Sequence, residues 1–263
     1  MKASIIICSM NRPEALKKCL DSIRAQTYTD YEVILCQDEG NLVELKDKSW
    51  RKAKGKVCIF IDDDVICDER WLEHIMHIFE GNYWIVGVTG PTYVPEENLK
   101  NRDIFKEGLF KKFYNWFFLE NKHMSPGKIT SCGANTYGAN YKTKLSGSYQ
   151  LVDFLEPPQF AIRMNVLRAI GGFDLEYKGV GEWCDVDLCY EVAKYGILFY
   201  DPRVKVIHLP IQDKAIYEKR LETKSRYQNY IRFAGKWIRP SFKHHLYRLF
   251  LKCYFIAKGR KWV

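Results

Sequence analysis

The chain has 263 residues, 47% hydrophobic and 28% charged, which is the balance of one large globular domain or of one domain with an appendage. No run approaches the roughly 20 uninterrupted apolar residues of a membrane-spanning helix, and the first residues lack the pattern of a signal peptide, so a cytoplasmic protein is expected. The net charge of +9 is uneven: residues 214–263 carry 14 Lys/Arg and 2 Asp/Glu, so a slightly acidic body precedes a basic tail.

Ser4–Cys8 is a continuous β-branched apolar run, as in a strand buried on both faces. Asn11 suits an N-cap and Pro13 a first helical turn, followed by Ala15, Leu16, Cys19, Leu20 and Ile23 at helical spacing. Tyr31–Cys36 reads as a second strand and Lys56–Ile61 as a third, ending in Asp62-Asp63-Asp64. Arg70–Phe79 is helical, with Gly81 suited to its C-cap, and Trp84–Thr89 is a fourth strand. Farther on, Phe110–Leu119 suggests an aromatic helix and Gly133–Gly147 a long loop of lid type. Phe160–Arg163 and Val204–Leu209 read as strands, and Asn165–Ile170 and Asp185–Tyr195 as helices. Strands alternating with helices predict an open, mainly parallel α/β sheet with flanking helices, in which ligands sit beyond the carboxyl ends of the strands. The nine cysteines are scattered without metal-site spacing and read as reduced, mostly buried thiols.

Three adjacent carboxylates repel unless something positive holds them. Alternation puts Asp62 and Asp64 on one side and Asp63 on the other, and a pair of oxygens on one side suits a hard divalent cation that also takes phosphate oxygens. The bland alternative is an acidic turn that caps the next helix. An Asp-x-Asp-x-Val after a strand is also compatible with a haloacid-dehalogenase-like phosphatase, with Asp62 as nucleophile on phosphorus. Two strand–helix units precede it here, whereas that family carries the motif on its first strand.

The opening SIIICSMNRPEALKKCLDSIRAQTYTDYEVILCQDEG, the strand end FIDDDV, the pair GGFD (Gly171–Asp174) and GEWCDVDL (Gly181–Leu188), and VKVIHL (Val204–Leu209) occur in an order that resembles the family-2 glycosyltransferases of GT-A fold over about residues 1–210. The resemblance implies a GT-A domain over 1–212, with a nucleotide half (1–95) and an acceptor half (96–212), and a helical basic extension over 213–263. It implies transfer of a sugar from a nucleoside-diphosphate donor, a UDP-sugar foremost, to a hydroxyl of a glycan or lipid-linked acceptor, with inversion and with Mn²⁺ or Mg²⁺. Cys8, Met10, Asn11 and Arg12 would contact the nucleotide, Asp38 the base, and Asp62 and Asp63 the ribose and phosphate. Asp62, Asp64 and His208 would hold the metal. Asp185 would be the catalytic base with Glu182 in reserve, and Trp183 would stack on an acceptor sugar. Taken singly, Asp185 also suits an N-cap, His208 a core histidine and Trp183 a core aromatic.

The tail combines Arg226, Tyr227, Tyr230, Ile231, Phe233 and Trp237 with an amphipathic stretch carrying Leu246, Leu249, Phe250, Cys253, Ile256 and Ala257 on one face. Basic residues with Trp, Phe and Leu suit an anionic membrane surface and a peripheral enzyme on the inner face of the cytoplasmic membrane. A helix pair packed on the catalytic domain, or on a second copy in a homodimer, fits the same pattern. Nucleic acid is a third candidate partner, but no nucleic-acid module is present and the acidic body opposes it, so none is expected.

Overall fold

The computed structural model describes residues 2–9, 12–37, 41–95, 108–136, 148–209 and 223–258. The first 95 residues contain β1 (Ala3–Ser9), α1 (Pro13–Arg24), β2 (Tyr31–Gln37), α2 (Leu42–Trp50), β3 (Val57–Asp62), β4 (Val65–Cys67), α3 (Trp71–Gly81), β5 (Ile85–Thr89) and β6 (Thr92–Tyr93). The remainder comprises α4 (Leu109–Phe117), β7 (Lys128–Ile129), β8 (Asn135–Thr136), β9 (Gln150–Leu151), β10 (Gln159–Arg163), α5 (Met164–Ile170), α6 (Cys184–Val192), β11 (Ile197–Tyr200), β12 (Val206–His208), α7 (Thr223–Trp237) and α8 (Phe242–Lys258).

The seven-stranded sheet has the order β2-β1-β3-β10-β5-β11-β9. β2, β1 and β3 are mutually parallel, and β11 is parallel to β5. β10 enters antiparallel between β3 and β5, and β9 is antiparallel at the edge. The α/β, mainly parallel architecture with flanking helices is therefore as expected; the insertion of Gln159–Arg163 between earlier strands is not visible in its sequence. β4, β12 and β6 form a separate three-stranded sheet beside the strand ends.

Strand alternation sorts the core into two layers. Ile5, Ile7, Ile59 and Ile61 meet the apolar stripes of α1 (Leu16, Cys19, Ile23) and α3 (Trp71, Leu72, Ile75). Ile6, Cys58 and Phe60 point the other way, towards Trp50 of α2, Leu167 of α5 and Val186 of α6. Each fully buried isoleucine contributes about 1.5–3 kcal/mol, and with both faces covered the strands read as continuous apolar runs. The same layer takes Phe233 from α7. The expected boundary near 213 falls outside the described residues, and the helix beyond it completes the core of the sheet.

Three local expectations are corrected. The helix after β1 begins at Pro13 with Arg12 at its N-cap position, without a side-chain cap; Asn11 lies outside the described residues. α3 runs through Gly81, and Asn82 with extended backbone ends it. The tail helix predicted to be amphipathic also divides its apolar face: Leu246 and Phe250 turn inward onto Tyr114 and Phe118, while Leu249, Cys253, Ile256 and Ala257 stay exposed.

Gly171 and Gly172 both have left-handed backbone, φ +83° and +96°. A Cβ on Gly171 would meet open space, whereas one on Gly172 would overlap Asp47 Oδ1 and Trp50 Nε1 of α2. Gly171→Ala should cost the backbone strain alone, about 1–2 kcal/mol, and Gly172→Ala about 1–3 kcal/mol more from overpacking. Chemical denaturation of both variants checks the difference.

Candidate active site

β3 places the first carboxylate, Asp62, at the carboxyl end of the sheet, and Asp63 and Asp64 form the turn into β4. Asp63 is fully buried. It accepts a hydrogen bond from Ser9 Oγ at 2.6 Å and a two-pronged contact from the Arg12 guanidinium, which also reaches Asp64. Burial pushes the Asp63 carboxyl up, with Ser9 and Arg12 opposing. Asp64 faces the small sheet. There β12 runs antiparallel to β4 with His208 opposite Val65, and Leu209 N–H donates to the Asp64 carbonyl at 2.8 Å. This register brings His208 Nε2 to 3.2 Å from Asp64 Oδ1.

One ligand atom each from Asp62, Asp64 and His208 lies within 4.8 Å of the others. Two hard carboxylate oxygens and an imidazole nitrogen fit Mn²⁺ or Mg²⁺ by donor type. Asp62 is the register partner of Cys8 on β1, and the two line a crevice with Lys46, Phe60 and Pro157. Burial pushes the Cys8 thiol up to about 12, so it is a neutral wall rather than a nucleophile.

Lys46 is the residue that sequence reasoning missed. It lies on the buried face of α2 with Val43, Asp47 and Trp50, and its Nζ sits 2.8 and 3.0 Å from the two oxygens of Asp185. Both side chains are nearly buried. Burial opposes the lysine's charge, but Asp185 more than offsets it, and Lys46 is held strongly cationic. A lysine within an apolar helical stripe was the available signal, since such a residue is almost never buried unless paired.

α6 sends the acids of GEWCDVDL in different directions. Asp185 turns to Lys46. Asp187, two positions on, accepts from Lys236 Nζ at 2.8 Å and Trp237 Nε1 at 2.7 Å, both on α7. Asp174, from GGFD, pairs with Arg232 and Lys236 of the same helix. Glu182 is drawn to Arg226 at 2.6 Å. Trp183 has left-handed backbone, φ +75°, and its ring stacks on Phe233 at 4.9 Å and meets Tyr230 edge-on, so α7 takes the face expected to receive a sugar. Met10, Asn11 and Asp38 lie outside the described residues. Cys8, Arg12, Asp62, Asp63, Asp64 and His208 share one rim; Asp185 meets it through Lys46.

The profile of the glycosyltransferase-like family matches residues 4–233. The chain belongs to this family. As a glycosyltransferase it is 26% identical, over 172 residues, to the glucosyl-dolichyl phosphate glucuronosyltransferase of Haloferax volcanii; the match takes in 55% of this chain. It spans about half (53%) of that relative's length. Among solved structures it is similar to S. aureus TarS 1-349 in complex with UDP-GlcNAc, with TM-score 0.61, 12% identity, and 98% of this chain and 72% of that one covered. The mannosyltransferase PcManGT of Pyrobaculum calidifontis, solved with GDP-Man and Mn²⁺, gives TM-score 0.57 at 14% identity over 97% and 73%. These likenesses establish the GT-A fold. Membership of the family displaces the phosphatase alternative.

Removing Lys46 would leave Asp185 buried and uncompensated. Lys46→Met should destabilise the enzyme by about 3–5 kcal/mol, and adding Asp185→Leu should restore much of the loss. Urea denaturation of the single and double variants measures both. The α7 clamp is acid-sensitive: although burial opposes it, Arg232 and Lys236 hold the Asp174 carboxyl down at about 2, against an ordinary 3.8. Its contribution is complete above the ordinary value and is lost as pH falls towards 2. Asp174→Asn should flatten the stability profile across that window.

Proposed function

We propose that this glycosyltransferase moves a sugar from a nucleoside-diphosphate donor, UDP-linked in the first instance, to a hydroxyl of a glycan or lipid-linked acceptor with inversion at the anomeric carbon. The observation that carries the reading is the convergence of Asp62, Asp64 and His208 at the strand ends of a GT-A sheet. These three residues would hold Mn²⁺ or Mg²⁺, and Arg12 stands beside the triad with its guanidinium paired to Asp63 and Asp64. A bound divalent cation would supply neutralisation of the charge that grows on the departing diphosphate.

Cys8, Met10, Asn11, Arg12 and Asp38 are assigned to the nucleotide, and Asp63 positions Arg12 through its two-pronged contact. Asp185 is assigned as base. It takes the proton of the acceptor hydroxyl while the new glycosidic bond forms and the bond from the anomeric carbon to the leaving phosphate oxygen breaks. In the present arrangement Lys46 holds that carboxylate in one orientation. Glu182 is the reserve base, and Trp183 borders the acceptor side. The name of the Haloferax relative, which specifies a glucuronosyl group and glucosyl-dolichyl phosphate, supports a lipid-linked acceptor and puts UDP-glucuronate high in a donor panel. A peripheral position on the inner face of the cytoplasmic membrane belongs to the same reading. Among the described residues no helix is long and apolar enough to cross a membrane.

Thermal shift against UDP- and GDP-sugars with Mn²⁺ should show stabilisation that needs both metal and nucleotide. Asp64→Ala should abolish the shift and the transfer. Asp185→Asn should keep the shift and lose roughly 10²–10⁴-fold in turnover; full activity in that variant would remove Asp185 from the mechanism.

A further inference from the structure

Two helices keep large apolar side chains in solvent on their outer faces. α4 exposes Leu109 (86%), Phe113 and Trp116 (60%) at i, i+4, i+7 spacing, with Phe110 beside them. α8 exposes Leu249 (58%) and Ile256, seven residues apart, with Cys253 between. The helices form one body. Tyr114 of α4 and Phe118, just beyond it, lie against Tyr247 and Phe250 of α8 with ring centroids 5.2 to 5.6 Å apart. Lys243 of α8 bonds Glu120 at 2.7 Å.

Neither helix contains a carboxylate. The nine residues of α4 include Lys111 and Lys112, and the 17 of α8 include Lys243, Arg248, Lys252 and Lys258. Lys112 and Lys252 are exposed beside the apolar stripes. Ordinary soluble surfaces intersperse both signs of charge and leave apolar residues scattered. A second copy docked symmetrically would set cations against cations, which disfavours that occupant. Nucleic acid would use the lysines and the rings but has no use for Leu109, Leu249 and Ile256. An anionic bilayer uses all of them: rings at headgroup level, aliphatic chains below it, and ammonium groups on lipid phosphates.

We propose that the outer faces of α4 and α8 together form the surface by which this enzyme lies on an anionic lipid membrane. The inference rests on the membrane part of the reading above and not on its donor chemistry. It moves the anchor from the tail alone to a composite in which α4, from the acceptor half, takes an equal share.

The test is co-sedimentation of the full chain with vesicles of phosphatidylcholine alone or with roughly one-third phosphatidylglycerol. Binding to the anionic vesicles alone, weakened by salt, is expected. The triple variant Phe113→Ser/Trp116→Ser/Leu249→Ser should lower the affinity by roughly tenfold or more. Lys112→Glu/Lys252→Glu should do the same and remove most of the salt dependence. Both variants should keep the wild-type melting temperature, and the vesicle readout needs no donor, so a failed donor panel leaves it intact. Equal binding to both vesicle types, no binding, or variants that bind like wild type would overturn the proposal. So would a dimer abolished by the triple variant, or salt-sensitive retention on single-stranded DNA abolished by the charge reversal, if either occurred without vesicle binding.

Discussion

Three adjacent carboxylates at the end of a buried strand repel one another, and the candidate active site depends on how the fold offsets that repulsion. Each offset comes from a different element. Ser9 closes β1 and Arg12 opens α1, while His208, which ends β12 in the second sheet, stands 3.2 Å from Asp64. The acids are therefore held in place by strand register. Cys8 stands opposite Asp62 in the parallel pair, and His208 stands opposite Val65 in the antiparallel one. A slip of one residue in either pairing would turn these side chains to the wrong face, so the buried isoleucine layers that fix the register also fix the chemistry.

The region around α6 is organised on a different principle. Its central helix, α6, begins at the left-handed Trp183, and that strained turn is covered by Phe233 and Tyr230 of α7. Ion pairs from Asp174, Asp187 and Glu182 to Arg226, Arg232 and Lys236, with a hydrogen bond from Trp237 Nε1 to Asp187, bind α7 to the body. Three of the tail's cations, Arg226, Arg232 and Lys236, are thus matched within the molecule. Lys224 of α7, Arg239 beyond it and Lys252 of α8 face outward.

The sheet was legible because its strands are buried on both faces: Ser4–Cys8 and Val57–Ile61 leave little choice but interior strands, and the helical stripes between them fix the alternation. The acidic strand end and His208 were legible as types at motif spacing, and Asp62 and Asp64 do converge. Non-local pairings were not legible. The antiparallel entry of β10 depends on partners about a hundred residues away in sequence. The Lys46–Asp185 pair joins positions 139 apart, so a lysine in an apolar stripe signals a buried partner without naming it. Trp183 shows the same limit: an aromatic beside an acid suits a sugar platform, but Phe233 already occupies its ring face.

Asp185 and Asp187 sit two residues apart on one helix, about 200° around its axis. The first faces the crevice side and the second is satisfied by α7. A single short signature thus records two independent constraints, the pairing with Lys46 of α2 and the docking of α7. Relatives whose chain ends before such a helix would be free to vary at the second position while keeping the first, and variation there would track the presence of Lys236 and Trp237 rather than the identity of the sugar.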